Sequence, residues 1–98
     1  MENKTVLNYR IDYERVQIEV LPKTDGKLEV TMGRSNKVPI TVYKLMHDLV
    51  TMLNGGGTQS NLLNYARRYR DVHEKELILV EKVIADLFSI KDSLPERS

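Results

Sequence analysis

The chain has 98 residues, which is enough for one domain with a modest hydrophobic core. Hydrophobic residues make up 41% and charged residues 30%, a balance typical of globular rather than disordered proteins. A formal net charge of +1 provides no overall attraction to nucleic acid or an anionic membrane, and the lack of cysteine excludes disulfides and thiolate chemistry.

The beginning of the chain leads directly into an alternating segment and shows no apolar core of a signal peptide. No apolar run approaches the roughly 20 residues that cross a bilayer. We therefore expect a cytoplasmic protein without membrane contact, folded as a single domain over residues 1–98.

Residues 1–37 are predicted to form a three-stranded antiparallel meander. Apolar and aromatic side chains fall on odd positions from 7 to 13 and on even positions from 16 to 20. Because odd and even side chains of a strand point to opposite faces, this change requires a turn or a bulge near residues 13–15. A tight hairpin is the first interpretation, and one long bent strand is the alternative.

A second hairpin is predicted between residues 16 and 32. Pro22 should end the second strand, because proline has no N–H to donate to the ladder. Asp25 and Gly26 then suit a two-residue turn, which requires positive φ. The third strand follows with alternating apolar residues from Leu28 to Met32.

The remainder of the chain has helical periodicity. Residues 38–54 predict a short helix over about 41–53, with Thr41 as its N-cap, and residues 55–60 form a glycine-rich loop. Residues 61–94 contain no glycine or proline, and Pro95 follows them. Their apolar residues recur every three or four positions. This pattern predicts one long helix over 61–94, followed by a tail at 95–98. The predicted fold class is therefore α+β.

No pattern in the sequence indicates an enzyme or a cofactor. His73 and Glu74 begin like a zinc-protease motif, but Leu77 stands where the second histidine ligand would be required. No Gly-x-Ser-x-Gly elbow occurs, and no pair of carboxylates stands out as general acid and base. We expect a protein that binds rather than catalyses, without metal or cofactor.

One segment is a candidate anion site. A glycine loop that enters a helix can present free N–H groups and the positive end of the helix dipole, while nearby arginines add charge and tyrosines can stack on bases. The candidate ligand-binding residues are Gly55, Gly56, Gly57, Thr58, Tyr65, Arg67, Arg68 and Arg70. The alternative is that the glycines only end a helix, while Arg67 and Arg70 pair with acids four residues later.

The predicted long helix also has features of a self-association surface. Residues 61–70 are basic, residues 71–96 are mainly acidic, and the apolar positions are more numerous than one narrow stripe requires. An antiparallel copy would therefore be complementary to it, which predicts a homodimer. The residues expected to divide their contacts between the core and this interface are Leu77, Val80, Ile84 and Leu87.

These observations predict a non-enzymatic interaction protein, a homodimeric regulator, adaptor or inhibitor of another macromolecule. Small single-domain proteins of phages and mobile elements often have this character. The partner is expected to be an unidentified protein. The alternative is a small binder of nucleic acid, a nucleotide or another phosphate-containing ligand that uses the glycine loop and the three arginines.

Overall fold

A computed structural model describes residues 4–94 and confirms the α+β fold. The strands are β1 (Thr5–Ile11), β2 (Glu14–Pro22) and β3 (Leu28–Met32), and they form one antiparallel sheet in the order β1-β2-β3. The helices that follow are α1 (Ile40–Asn54), α2 (Gln59–Arg68) and α3 (Glu74–Ser93). The tail predicted at 95–98 lies outside the described residues.

The first hairpin explains the change of apolar parity. Ile11 pairs with Glu14, and the two residues between them both have positive φ, 49° at Asp12 and 69° at Tyr13. Positive φ at both central residues defines the tight turn whose twist matches that of the flanking strands. The tight hairpin is thus confirmed, and the single bent strand is wrong.

The second hairpin has a longer loop than the sequence predicts. Pro22 ends β2 as expected but pairs with Leu28, so residues 23–27 connect the strands. The Gly26 N–H donates to the Lys23 carbonyl at 3.1 Å, and Gly26 has a φ of 86°. The two-residue turn is therefore wrong, because Asp25 does not have positive φ and only Gly26 adopts the left-handed conformation in this loop.

The core lies between one face of the sheet and the three helices. The central strand β2 contributes Val16, Ile18 and Val20, whose side chains are at most 1% exposed. Helices α1 and α3 contact the sheet and α2 packs against both of them. Together they contribute buried aliphatic residues to the core, among them Val42, Leu45, Leu49, Leu62, Val83 and Ile84. The opposite face of the sheet carries the exposed side chains of β1, β2 and β3 and has no helix over it within the described residues.

Helix α1 is attached to the sheet by a side chain at its end. It begins at Ile40 after Pro39, so the N-cap predicted at Thr41 is wrong by two positions. The Asn54 carboxamide accepts the Leu28 N–H and donates to the Leu28 carbonyl, both at 2.9 Å. Asn54 therefore satisfies both backbone groups at the start of β3 and fixes α1 relative to that strand.

The single helix predicted over 61–94 is wrong, because the chain breaks between α2 and α3. Tyr69 and His73 are extended, and Asp71 has a φ of 68°. The carboxylate of Glu76, only 3% exposed, accepts the His73 N–H at 3.1 Å and so caps the new helix. The break lets α2 pack against both α1 and α3, which buries Leu62 and Ala66.

We expect Gly26→Val to lower the free energy of unfolding by about 1 kcal/mol or more, because β-branched residues resist positive φ. A Cβ at this position would meet no atom within 4 Å, so backbone conformation alone should set the cost. Gly26→Asn is the matched control, since asparagine tolerates this conformation and should retain most of the stability. Urea unfolding measures both variants, and equal midpoints for valine and glycine would contradict the assignment.

Candidate functional site

The glycine loop predicted to bind an anion uses its amides to close α1. The N–H groups of Gly55, Gly56 and Gly57 donate to carbonyls of the last turn of α1, the Gly57 bond to Met52 being 2.8 Å long. A Cβ on Gly57 would lie 2.9 Å from that same carbonyl oxygen, so the close approach requires glycine. Thr58 in turn caps α2 by accepting the Asn61 N–H at 3.1 Å. The loop amides are therefore already hydrogen-bonded within the chain.

The predicted arginines lie at the other end of α2. Arg67 and Arg68 are in its last turn and Arg70 follows it, about 15 Å along the helix from the glycines at 1.5 Å per residue. The Arg67 Nε donates to the Glu81 carboxylate of α3 at 2.8 Å. The fold thus does not bring the glycine loop and the arginines together as one site.

Tyr65 also has an intrachain role. Its hydroxyl donates to the Asp48 carboxylate at 2.8 Å, a hydrogen bond that raises the pKa of Tyr65. Its ring lies 5.7 Å from the ring of Tyr69, measured between centroids. Tyr65 therefore links α2 to α1 and packs against the residue that ends α2.

The residues predicted to mediate self-association lie mostly inside the chain. Val80, Ile84 and Leu87 are at most 1% exposed and belong to the core, while Leu77 is partly buried against it. The charge complementarity of the basic and acidic segments is used within one chain, where Arg67 of α2 meets Glu81 of α3. Homodimer formation stays a prediction, and these four residues offer little surface for it.

A different cluster of charges forms what we call the basic groove, between the outer edge of β1 and α3. The groove has a volume of about 520 Å³. Its lining comes from the β1–β2 hairpin and from one side of α3: Asn8, Tyr9, Arg10, Arg15, Lys75, Ile78, Leu79 and Lys82. Four cations and no acidic residue are among them, so the lining is positively charged in a protein of nearly balanced charge.

The cations of the basic groove are mostly uncompensated. Lys75 pairs with Asp12 of the hairpin turn, and this contact lowers the pKa of Asp12 and raises that of Lys75. Among residues 4–94, no ion pair involves Arg10, Arg15 or Lys82. Arg10 and Arg15 also lie directly opposite each other across β1 and β2, where like charges are unfavourable. An anionic partner would relieve this repulsion.

A second groove, near β3 and α1, has a comparable volume of about 560 Å³ but a different character. Its lining includes both Glu14 and Arg34, so neither sign of charge prevails. The basic groove is therefore the surface with the clearer preference for one chemical class of ligand.

The groove is held in shape by a contact between β1 and α3. The Tyr9 hydroxyl donates to the Asp86 carboxylate across these elements. Partial burial of the ring, with the hydrogen bond to Asp86 and its negative charge, raises the pKa of Tyr9 well above its usual value. Protonated Tyr9 therefore contributes to fixing α3 beside the outer edge of β1.

Tyr13 projects from the β1–β2 turn, where it follows Asp12, the partner of Lys75. Its side chain is 96% exposed although its backbone has a φ of 69°, a conformation that is costly for a bulky residue. Neither packing nor turn preference accounts for an aromatic residue here. Strain retained at an exposed position is typical of residues that serve recognition.

Sequence reasoning missed this groove because its cations are far apart in the chain. Only Arg10 and Arg15 gave a local signal, since a two-residue turn between Ile11 and Glu14 places them opposite each other. Lys75 and Lys82 become neighbours of the hairpin through the packing of α3 on β1, which no short motif encodes.

Comparisons with family models, with curated proteins and with solved structures find no match to this chain. No helix within residues 4–94 has the length and apolar composition needed to cross a membrane. In the same part of the chain, no three potential metal-ligating side chains come together.

We expect alkaline solution to weaken the folded state through Tyr9. An unfolded chain releases this proton near the usual pKa of 10.0, whereas the folded protein retains it to higher pH. The stability from this linkage is fully present below pH 10 and is lost as the pH rises through the folded pKa. Tyr9→Phe should therefore flatten the decrease in melting temperature above pH 10. Identical profiles for wild type and Tyr9→Phe would contradict the linkage.

We expect Tyr13→Gly to raise the free energy of unfolding by a fraction of a kcal/mol up to about 1 kcal/mol. Relief of roughly 1–2 kcal/mol of left-handed strain outweighs the greater freedom of glycine in the unfolded chain. Tyr13→Val at the same exposed site should instead be destabilising, because a β-branched side chain increases the strain. Thermal unfolding measures the pair, and a loss of stability in Tyr13→Gly would show that the tyrosine ring itself supports the fold.

Proposed function

We propose that this protein is a non-enzymatic interaction protein, a regulator, adaptor or inhibitor that binds another macromolecule through the basic groove. The observation that carries the proposal is the clustering of Arg10, Arg15, Lys75 and Lys82 around one groove without an acidic residue. The chain has a net charge of only +1, so the positive charge of this cluster is a local feature of the groove and not a property of the whole surface.

Apolar and aromatic groups beside these cations support a macromolecular partner. Ile78 on α3 is 50% exposed at the groove, and exposed Tyr13 follows Asp12, whose carboxylate pairs with Lys75 of the groove. Arginine and tyrosine are enriched where proteins make their strongest contacts, and an exposed aliphatic side chain adds surface that excludes water. Charges alone would give steering and specificity, whereas these groups supply affinity.

The proposal places binding at a different surface from the glycine loop and the α2 arginines. A nucleotide at Gly55–Gly57 would have to compete with the carbonyls that already accept those amides. Self-association through the basic groove is also disfavoured, because two copies would bring like-charged surfaces together. The favoured partner is therefore a different molecule with an acidic surface.

Charge reversal in the groove should abolish capture of the partner. We expect the tagged wild type to enrich a specific macromolecule from cell extract, and Arg10→Glu with Arg15→Glu to lose it. The matched control is Lys44→Glu with Arg68→Glu, two exposed cations on α1 and α2, which should retain it. Parallel captures with nuclease separate a protein partner from a nucleic acid. A partner that survives reversal in the groove but not at the control positions would place the interaction elsewhere.

A further inference from the structure

The outer edge of β1 offers unpaired backbone groups to the basic groove. In an antiparallel sheet, alternate residues direct their N–H and carbonyl groups to the neighbouring strand on one side and away from it on the other. The Gly33 N–H donates to the Gln17 carbonyl, so odd residues of β2 face β3 and even residues face β1. The register pairs those even residues with Leu7, Tyr9 and Ile11.

Val6, Asn8 and Arg10 consequently direct their backbone groups outward. Within residues 4–94, no described hydrogen bond joins these outward groups to another part of the chain. They extend over about 13 Å, since a strand advances roughly 3.3 Å per residue. Asn8 and Arg10 also line the basic groove, so the open edge and the cations form one surface.

We infer, resting on the proposed function, that the basic groove binds an extended acidic peptide segment of the partner, which adds to β1 as a fourth strand. The backbone of the segment would pair with the outward groups of Val6, Asn8 and Arg10. Its carboxylates would lie near Arg10, Arg15 and Lys82, and an apolar side chain would cover Ile78. Addition of a strand to an open edge is a common mode of peptide recognition.

The chemistry of the edge favours a peptide over a nucleic acid. An open strand edge presents alternating donors and acceptors, and a peptide backbone matches both. The phosphates of a nucleic acid only accept hydrogen bonds, so they could pair with the outward N–H groups of β1 but not with its carbonyls. Tyr9 is the one aromatic residue of the lining, and its ring is partly buried against the core, which leaves exposed Tyr13 of the nearby turn as a single ring. The groove therefore provides few means of stacking bases.

The same charges also select against a second copy of this chain. Pairing of β1 with β1 of another molecule would bring two sets of uncompensated cations side by side, which is how edge strands are protected from self-association. An acidic segment would instead neutralise the cations while its backbone pairs with that of β1. The groove thus combines protection of the edge with a preference for one kind of partner.

Selection of peptides from a displayed random dodecapeptide library, followed by synthesis, tests this inference. We expect acidic peptides to be enriched. Methylation of alternate backbone nitrogens on the peptide edge that faces β1 should weaken binding at least about tenfold, because each methyl group removes one interstrand hydrogen bond but no charge. Arg10→Glu with Lys82→Glu should weaken binding by a similar factor, whereas Lys44→Glu with Arg68→Glu should change it less than about twofold.

Amide hydrogen exchange gives a readout specific to strand addition. In the free protein the amides of Val6, Asn8 and Arg10 should exchange faster than those of Leu7 and Tyr9, and bound peptide should slow the first three by about tenfold or more. Asn8→Pro removes one outward N–H without breaking the internal ladder and should weaken peptide binding, with Asn8→Ala as its control. Melting curves confirm that both variants fold.

The outcomes separate the two proposals. If a captured partner depends on the groove cations but neither it nor any selected peptide protects the three amides, strand addition is wrong and the proposed function stands. If binding of an oligonucleotide such as dT12 depends on the groove while acidic peptides are not enriched, the ligand is a nucleic acid. If neither capture nor peptide binding responds to Arg10→Glu with Arg15→Glu, both proposals fail.

Discussion

Burial of one face of the central strand β2 is the constraint on which the rest of the structure depends. A sheet of three strands cannot close on itself, so its stability requires a cover for the apolar face formed by Val16, Ile18 and Val20. Helices α1 and α3 contact the sheet directly, and α2 packs against both of them to complete the core. The candidate site lies at the outer edge of β1, whose outward backbone groups have no hydrogen-bonded cover in the described part of the chain.

Two polar contacts determine how the helices sit on the sheet. Asn54 completes the hydrogen bonding of Leu28 and holds the end of α1 at β3, whereas Tyr9 and Asp86 hold α3 at β1. Such contacts add little net energy when made, but they are costly to lose once they are shielded from water. They act at opposite edges of the sheet, and the Tyr9–Asp86 hydrogen bond is the one that joins the two elements of the basic groove, β1 and α3.

Much of the fold could be predicted from local sequence patterns, and the predictions that failed did so for physical reasons. The parity of apolar residues predicted the first hairpin because period two is a direct consequence of strand geometry. The apolar spacing did not reveal the break at residues 69–73, because a helix can end without glycine or proline. Asp71 adopts the left-handed conformation there, and buried Glu76 caps the next helix from within it. The break lets α2 pack against α1 and α3 and bury Leu62 and Ala66, and these tertiary contacts are not encoded in the local sequence pattern.

The candidate site was less predictable than the fold, because it depends on charges that the sequence distributes evenly. Basic residues at 67, 68 and 70 form a cluster in sequence, yet the fold pairs Arg67 with Glu81 and leaves the glycine amides bonded to α1. The effective cluster instead joins a hairpin to a helix some 60 residues later. Repulsion between Arg10 and Arg15 lowers the stability of the hairpin, and Tyr13 adds strain at its turn. Two unfavourable features on one short hairpin, both at exposed positions, are best understood as requirements of binding, because the core depends on neither of them.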